Sequence, residues 1–444
     1  MLSKLMFSSA YSLKNRNFNH YYSLAKANEF QPYHILKKLQ EEKLRKLISH
    51  SYENVPYYKT LFQDIGIRPQ NINSIEDLQR IPILTKDIIR TNQKEFCPNN
   101  LATQKYKETS TGGSTGEPLH YRISLDDEIL GIAIKYANWG YAGYDLGDKV
   151  AIIAGSSLLP DPKTKISNFL WSHATNHRFF SSFDMNETRL AAIISDCNEF
   201  DPKFIRGYAS SLYFLANYVI KNGIELKFRP HGIFSTAERL FDFQRETIKK
   251  AFKTEVFDQY GLNDGGASAF ECKEHSGLHV DMIRAVLEVV DGNGLPVSPG
   301  EEGRIVVTGL HNYSMPFIRY DTGDRGILGE KTCKCGRNAP LLKKITGRQQ
   351  EFLETPEGLF IHGEFFSHIF WEINGVKEFQ IIQDKINEII IYIVPETNFD
   401  TNQLKIISKY IQKKSNGWNV EYKIVNKIQK PASGKWKFVI RDIR

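Results

Sequence analysis

The chain has 444 residues, of which 41% are hydrophobic and 12% aromatic, a composition that excludes a disordered protein and suits a globular enzyme. Its formal charge is +7, but residues 401–444 hold eleven Lys and Arg against two acidic residues, a net +9, so the rest is close to neutral. This distribution excludes a generally basic surface, and we expect no nucleic-acid partner. A basic C-terminal piece suits a small lid that closes over polyphosphate, with plain solubility as the alternative.

The apolar pattern excludes a membrane span, because no run of eighteen apolar residues occurs. Residues 1–10 are moderately apolar, but Lys14 and Arg16 follow where a signal peptide would have its cleavage site. The five cysteines, an odd number, argue against a secreted disulfide framework. We therefore expect a cytoplasmic protein and leave open whether it forms a homodimer.

Strand and helix patterns alternate through the first half of the chain. A Lys-rich amphipathic helix over 30–52 should stop at Pro56, and a second helix covers 124–142. Buried strands are predicted at 148–155, 204–207, 232–235 and 255–259, with helices at 186–197, 210–222 and 240–252. Such alternation predicts a layered α/β domain that binds ligands outside the strand ends.

The pattern changes twice towards the C-terminus. Residues 286–326 have hairpin signals, including the turn 291–294, and predict an added β-rich subdomain. After residue 347 short alternating runs and one helix at 403–413 indicate a compact α+β tail. The predicted fold class is therefore α/β, with an N-terminal domain over 1–346 and a small C-terminal domain over 347–444.

One loop has the composition of a phosphate site. Residues 109–116 contain five Ser or Thr hydroxyls and three glycines. The glycines allow backbone N–H groups to converge on an anion, and the hydroxyls add further donors. The residues that we assign to this loop are Ser110, Thr111, Gly112, Gly113, Ser114, Thr115 and Gly116. No lysine follows Gly116, so this is not a Walker loop, and a flexible Gly/Ser linker is the alternative.

Further motifs follow the loop in a characteristic order: 235–238, 259–264, 319–324, 346–351 and 431–435. As an ordered set they resemble the adenylate-forming superfamily. The Tyr57-Tyr58 pair after Val55-Pro56, the motif 319–324 and the stretch 379–383 resemble the phenylacetate:CoA ligase family, especially its CapK-type branch, which is associated with capsular polysaccharide biosynthesis. The resemblance extends from about residue 30 to the end.

The resemblance implies an ATP site with Mg²⁺. The loop would hold the β- and γ-phosphates, and Tyr260 and Gly261 would lie beside the adenine. Asp264 would bind Mg²⁺, and Asp324 would accept both ribose hydroxyls, a bidentate role suited to a carboxylate. A turn or cap carboxylate is the alternative for Asp264, and an ordinary surface turn for Asp324.

Three further assignments follow from the resemblance. Thr236, Ala237 and Glu238 would line the adenine pocket, although a helix-start cap explains them equally well. Arg348 would contact ribose or phosphate, near a hinge at 348–351 about which the C-terminal domain would move. Lys435 would bridge the substrate carboxylate and the α-phosphate, with a solvated surface lysine as the alternative.

The sequence departs from the family pattern at three positions. Glu117 stands where many relatives have lysine, Asp264 replaces the commoner glutamate, and Glu351 occupies the hinge where aspartate is usual. Asp264 is one methylene shorter than glutamate, but its carboxylate can still bind Mg²⁺ directly or through water.

Cysteines and histidines indicate a second metal site. Cys333 and Cys335 lie on one short loop, and Cys272 is followed by His275 and His279. Two thiolates from one loop with a Cys and a His from another would complete a tetrahedral structural Zn²⁺ site, and His279 is the preferred fourth ligand because a strand would fix it. Thiols without a special role are the alternative.

Together these features predict an ATP-dependent ligase that converts a carboxylic acid into acyl-AMP. The acyl group would then pass to coenzyme A or, in the CapK-type branch, to an amine or a sugar hydroxyl. The alternative from another class is a non-catalytic nucleotide-binding or scaffold protein of a polysaccharide system.

Overall fold

The computed structural model describes residues 2–111, 119–154, 165–182, 185, 187–329, 332–348, 352–358, 360–362, 365–366, 369–370, 373–429 and 437–443. The chain divides into two compact units, Met1–Thr346 and Gly347–Arg444. Each unit has a hydrophobic core of its own, as expected for separately packed domains.

Helices of the first unit occur before and between its strands. They are α1 (Leu2–Lys14), α2 (Phe18–Asn28), α3 (Tyr33–Asn54), α4 (Pro56–Asp64), α5 (Lys86–Thr91), α6 (Leu125–Trp139), α7 (Lys165–Thr175), α8 (Glu187–Phe200), α9 (Ala209–Lys221) and α10 (Asp242–Phe252). Pro56 separates α3 from α4 and occupies the first turn of the latter, where its missing N–H costs nothing. None of the described helices combines the length and the apolar character needed to cross a bilayer.

Strands of the first unit form a hairpin and one large sheet. They are β1 (Tyr106–Ser110), β2 (His120–Ser124), β3 (Val150–Ala154), β4 (His177–Ser181), β5 (Phe204–Tyr208), β6 (Gly232–Thr236), β7 (Val256–Gly261), β8 (Ser268–Glu271), β9 (Leu278–Val280), β10 (Ala285–Val290), β11 (Glu302–Gly309), β12 (Tyr320–Leu328) and β13 (Leu341–Arg348). β1 pairs with β2, and the other eleven strands have the order β10-β11-β12-β13-β9-β8-β7-β6-β5-β3-β4.

The sheet has a parallel and an antiparallel part. β4, β3, β5, β6 and β7 run parallel, as their alternation with helices requires. The pairs β7–β8, β8–β9, β9–β13, β10–β11 and β11–β12 are antiparallel. The predicted α/β class is confirmed, but the β-rich segment is continuous with the parallel sheet instead of forming a separate subdomain.

Both faces of the parallel part are buried by helices. On β3, Ile152 and Ala154 pack with α6, while the alternate residues Ala151 and Ile153 pack with α8, α9 and α10. This follows from the two-residue period of a strand, which sends successive side chains to opposite faces. Every residue of β3 is buried, which explains its almost continuous apolar sequence.

The helices α1 and α2 were not predicted from the sequence. Phe7 and Tyr11 of α1 and Phe18 of α2 are buried, and Tyr11 shares a 2.9 Å hydrogen bond between hydroxyl groups with Tyr136 of α6. The apolar residues of this segment are few and interrupted by Ser and Asn, so its period is weak. Its helices are stabilised by aromatic packing with residues more than a hundred positions later.

The second unit is a small α+β domain. Its elements are β14 (Phe352–Glu354), β15 (Phe360–His362), β16 (Val376–Lys385), β17 (Glu388–Pro395), α11 (Gln403–Gln412), β18 (Asn419–Ile424) and β19 (Val439–Arg441). β14 pairs with β15, and the other strands form a sheet of order β18-β17-β16-β19. Ile389, Ile391 and Ile393 of β17 are fully buried beside Ile407 and Ile411 of α11. Strand and helix periodicities therefore meet in one core.

Candidate nucleotide site and metal cluster

The predicted adenine-pocket segments lie at one edge of the parallel sheet. β5 ends at Tyr208, β6 at Thr236 and β7 at Gly261. The register pairs Tyr208 with Thr236 and Thr236 with Gln259, so the carboxyl ends of these strands are neighbours. Ligands of open α/β sheets bind at this edge.

Tyr260 and Asp324 are brought together by the fold. The Tyr260 hydroxyl donates a 2.9 Å hydrogen bond to Asp324 Oδ2, and both side chains are buried. Their strands, β7 and β12, are separated by β8, β9 and β13 in the sheet order, so the sheet must curve strongly between them. The aromatic ring assigned to adenine and the carboxylate assigned to ribose are therefore in direct contact.

Asp264 occupies the loop between β7 and β8. Its Oδ2 accepts a 2.8 Å hydrogen bond from the hydroxyl of Tyr320, the first residue of β12. Sequence reasoning gave Tyr320 no role, although it belongs to the same motif as Asp324. The two tyrosine–aspartate pairs link β7 and its following loop to β12 twice, and this links the predicted Mg²⁺ and ribose ligands.

Arg319 holds the start of this motif in place. Its guanidinium forms a buried two-pronged ion pair with Glu288, at 3.0 and 3.2 Å, and also donates to the Ile81 and Gly294 carbonyl oxygens. The φ of Arg319 is +52°, a conformation that is uncommon for a residue with a side chain. These contacts offset the backbone strain, which supports a positioning role for Arg319.

Gly265 lets the loop that carries Asp264 pack closely on β11. A Cβ at this position would lie 2.3 Å from Val307 Cγ2 and 3.4 Å from Tyr320 Cδ1. We expect Gly265→Ala to lower the free energy of unfolding by about 1–3 kcal/mol through overpacking, measured by urea denaturation. Gly292→Ala is the matched control, since no atom lies within 4 Å of its Cβ. Equal stabilities of the two variants would contradict this account.

A buried network supports the site from the side of α6. Arg284 pairs with Asp127 through two hydrogen bonds of 2.9 and 3.0 Å. Burial and the neighbouring Asp264 carboxylate raise the pKa of Tyr121 above its usual value, and this keeps the hydroxyl protonated. Asp264 therefore has Tyr121 and Tyr320 as neutral hydroxyl neighbours.

The segment Thr236–Glu238 forms a turn at the end of β6. Ala237 has a φ of +68°, an uncommon value for a residue with a side chain. Glu238 Oε2 accepts a 2.8 Å hydrogen bond from the backbone N–H of Ser210, in the first turn of α9. Glu238 thus caps a helix, as the alternative interpretation allowed, but this helix is α9 instead of the one that follows Glu238 in the chain.

The phosphate loop is described only at its ends. Ser110 is the last residue of β1 and pairs with His120. Thr111 N–H donates to the Leu119 carbonyl at 2.9 Å, and Thr111 Oγ1 accepts from Leu119 N–H at 3.0 Å. Gly112, Gly113, Ser114, Thr115 and Gly116 lie outside the described residues. The loop therefore connects the two strands of a hairpin that Thr111 closes.

Two other predicted site residues also have little structural description. Lys435 lies outside the described residues, and Arg348 is described only as the last backbone position of β13. Their assignments stay predictions from the sequence motifs.

Two polar atoms near the strand ends suggest space for a polar ligand. Ser235 Oγ and Gln259 Nε2 are buried and have no hydrogen-bond partner among the described residues. An unpaired buried polar group costs about 1–3 kcal/mol, so a bound partner would offset this cost. Gln259 was quoted as part of a motif but not assigned a role, and these orphaned atoms fit a nucleotide with many donors and acceptors.

Four side chains form a compact metal-type cluster. The ligand atoms of Cys272, His279, Cys333 and Cys335 lie within 4.8 Å of one another. Cys272 Sγ is 3.7 Å from Cys333 Sγ, and Cys335 Sγ is 3.3 Å from His279 Nε2. Zn–S bonds of about 2.3 Å in a tetrahedron give S···S distances of about 3.8 Å. The donor set and its spacing therefore fit zinc.

His275 is not part of this cluster. Its Nδ1 lies 3.2 Å from Glu271 Oε1, its Nε2 lies 3.4 Å from Glu255 Oε2, and its ring packs on Phe257. Of the two histidines that the sequence left open, the structure places His279 among the cysteines and His275 in an ion-pair network with carboxylates.

Comparison with solved structures identifies the class of fold. A 2-hydroxyisobutyryl-CoA ligase in the postadenylation state in complex with R3-HIB-AMP superposes with a TM-score of 0.73. The match has 18% sequence identity and covers 94% of this chain and 91% of that one. The fold is therefore that of the adenylate-forming superfamily.

Sequence relatives narrow the class. Residues 353–442 match the family of the CapK C-terminal domain. Protein CapK of Staphylococcus aureus is 28% identical over 437 residues, covering 97% of this chain and 94% of that protein. Phenylacetate-coenzyme A ligase of Thermus thermophilus is 26% identical over 353 residues, covering 73% of each protein. The chain belongs to the phenylacetate:CoA ligase family of the adenylate-forming superfamily, in its CapK-type branch.

Proposed function

We propose that this protein is an ATP-dependent acyl-adenylating ligase. It activates a carboxylic acid as acyl-AMP with release of pyrophosphate and then passes the acyl group to an acceptor. The observation that carries the proposal is the pair of buried tyrosine–aspartate contacts, Tyr260–Asp324 and Tyr320–Asp264. They join the predicted ribose and Mg²⁺ ligands in a chain whose relatives include phenylacetate-coenzyme A ligases.

The chemistry requires charge control at the α-phosphate. A substrate carboxylate oxygen attacks the α-phosphorus, the bond to the β-phosphate oxygen breaks, and pyrophosphate leaves. Asp324 binds the ribose hydroxyls and thereby orients the α-phosphate, while the glycine-rich loop binds the leaving phosphates. Lys435 stabilises the negative charge that develops during the attack.

The residues at Asp264 fit a magnesium ion. Magnesium prefers oxygen ligands and binds through one or two carboxylates together with substrate phosphates. Tyr320 donates to Asp264 Oδ2, and among the described residues no hydrogen bond involves Oδ1, which fits an oxygen directed at a cation. When bound, magnesium would neutralise part of the charge on the triphosphate.

The Cys272, His279, Cys333 and Cys335 cluster is proposed as a structural zinc site. Four protein ligands would fill a tetrahedron and leave no open position for catalysis. Cys272 and His279 belong to the β8–β9 segment, and the other two ligands belong to the loop before β13. Zinc would therefore join the ends of strands that carry the nucleotide site.

Coenzyme A is the acceptor that the relatives support, because several of them are named as coenzyme A ligases. An amine or a sugar hydroxyl, in polysaccharide biosynthesis, is the acceptor suggested by the CapK-type C-terminal domain. The rival function is a non-catalytic nucleotide-binding scaffold, for which no carboxylic acid would release pyrophosphate.

A pyrophosphate-release assay across a panel of carboxylic acids tests the proposal. We expect acid-dependent release by the wild type. Asp324→Asn should raise the KM for ATP about 10- to 100-fold, since one hydrogen bond to a charged group is lost or weakened. Asp321→Asn is the matched control: it alters a half-buried carboxylate of the same motif that pairs with Arg304. Absence of release with every acid would favour the scaffold, and equal KM values for the two variants would contradict the role of Asp324.

A further inference from the structure

Three nitrogen-bearing side chains meet beneath α6, on the face of the parallel sheet that packs against α1. The Lys135 ammonium lies 4.2 Å from the centre of the Tyr136 ring and 5.4 Å from that of Trp139. The Arg206 guanidinium carbon lies 5.5 Å from the Trp139 ring, and the His177 ring stacks on Tyr136 at 6.0 Å. We call Lys135, Arg206 and His177 the cationic cluster.

The cationic cluster has no acidic partner in the described part of the chain. No ion pair is formed there by Lys135 or Arg206, and Arg206 Nε and His177 Nε2 have no hydrogen-bond partner. Two more atoms in the same region, Trp139 Nε1 and the Tyr144 hydroxyl, are also buried without a partner among described residues. Such a group of aligned donors lacks an acceptor.

The electrostatic cost of this arrangement is visible in its histidine. Burial and then the positive charges of Lys135 and Arg206 lower the pKa of His177 to about 3. Burial and the charge of Arg206 likewise lower the pKa of Lys135 well below its usual value. His177 is thus neutral at physiological pH, and the two cations repel each other.

Cation–aromatic contacts alone do not offset this cost. Each such contact contributes about 0.5–2 kcal/mol, whereas burying an unpaired charge costs several kcal/mol per ion. Met or Leu at positions 135 and 206 would pack on Trp139 without the penalty. The cluster is therefore better explained by a ligand that supplies the missing negative charge.

The location connects the cluster to the proposed acyl site. Arg206 pairs with Phe234 in the register of β5 and β6, two residues before Thr236. At about 3.3 Å per residue, Arg206 lies about 7 Å inside the strand ends where ligands bind. Tyr11 of α1 and Trp171 of α7 add aromatic walls, and the Lys14 ammonium lies 3.8 Å from the Trp171 ring. The side chains around the cluster are therefore aromatic and cationic.

We propose that the cationic cluster binds a second anionic group of the carboxylic acid substrate, a carboxylate or a phosphate, remote from the carboxylate that is activated. The preferred acids are therefore dianionic. This inference rests on the proposed function, since it names the substrate class of the same site.

Matched pairs of acids test this specificity. Hexanoate is compared with adipate, phenylacetate with 1,4-phenylenediacetate, and glycerate with 3-phosphoglycerate, by calorimetric binding and by pyrophosphate release. The wild type should prefer the dianion of at least one pair about 10- to 100-fold, as expected for a charge-assisted contact. The carboxylate and phosphate pairs distinguish the two kinds of anion.

Arg206→Met and Lys135→Met should abolish this preference while changing the monoanion by less than about threefold. Arg178→Met is the matched control, because Arg178 lies on neighbouring β4 but packs on Phe200, on the opposite face of the sheet. The preferred dianion should raise the Tm of the wild type and the control but not of Arg206→Met. This readout also shows whether each variant is folded.

Each remaining outcome separates the two proposals. Pyrophosphate release without a dianion preference in any pair would overturn the inference and leave the ligase. Equal losses for mono- and dianions in Arg206→Met would overturn it as well. Dianion binding that depends on Arg206, without release by any acid, would keep the anion site and overturn the ligase. No binding and no release would overturn both.

Discussion

Replacing Lys435 with alanine is expected to reduce acid-dependent pyrophosphate release about 10²- to 10³-fold. The magnitude corresponds to the loss of one preorganised positive donor where charge develops in the transition state. Because the lysine acts on the reacting groups, kcat should fall, and the KM for ATP should change little. Single-turnover formation of acyl-AMP is the direct measurement.

The structure around Lys435 provides a matched control. Lys437 lies two residues later, and its carbonyl accepts a 2.9 Å hydrogen bond from the Gln380 side chain. Phe438 follows and packs on Phe379 of β16, before β19 joins the sheet. Lys437→Ala keeps these backbone contacts and should retain most of the activity. Turnover that survives Lys435→Ala unchanged would disprove the role of Lys435.

Substitution of Cys335 by serine is expected to remove zinc and lower the Tm by several degrees. A ligand at a thousand times its dissociation constant stabilises the folded state by about 4 kcal/mol, and this stabilisation is lost with the metal. Metal analysis of protein purified without chelator should give one zinc per wild-type chain. The variant should give far less, and a chelator should lower the Tm of the wild type towards that of the variant.

Cys97 offers the control for the zinc experiment. It is half-buried, and its thiol lies 4.0 Å from the Pro98 carbonyl oxygen, away from the cluster. Cys97→Ser should therefore keep both zinc and Tm. Sub-stoichiometric zinc in well-folded wild-type protein would reject the metal site.

Periodicity alone predicted the parallel part of the fold well. Strands such as Val150–Ala154 are buried on both faces, so their continuous apolar runs give a clear signal between amphipathic helices. The antiparallel part was predicted as strands, but its continuity with the same sheet depends on long-range pairing such as that of Leu342 with Leu278. No local pattern contains that information.

The candidate site was predicted as single residues without their partners. Asp264 and Asp324 were recognisable because each lies in a short motif, whereas the tyrosines that bond them come from distant strands. His279 and His275 were indistinguishable by spacing, and only the fold separates them. Arg206 gave no signal, since one arginine in an apolar strand looks like any amphipathic residue until its surroundings are known.

The packing of α1 also bears on how the chain folds during its synthesis. Tyr11 bonds to Tyr136, and Phe7 packs on His177, which is made 170 residues later. At about 5–20 residues per second, a ribosome needs roughly 10–35 s to reach that strand. During this interval the aromatic face of α1 has no native partner, so the first helix to emerge is among the last to be buried. The aromatic cover over the cationic cluster is completed only after β4 has left the ribosome.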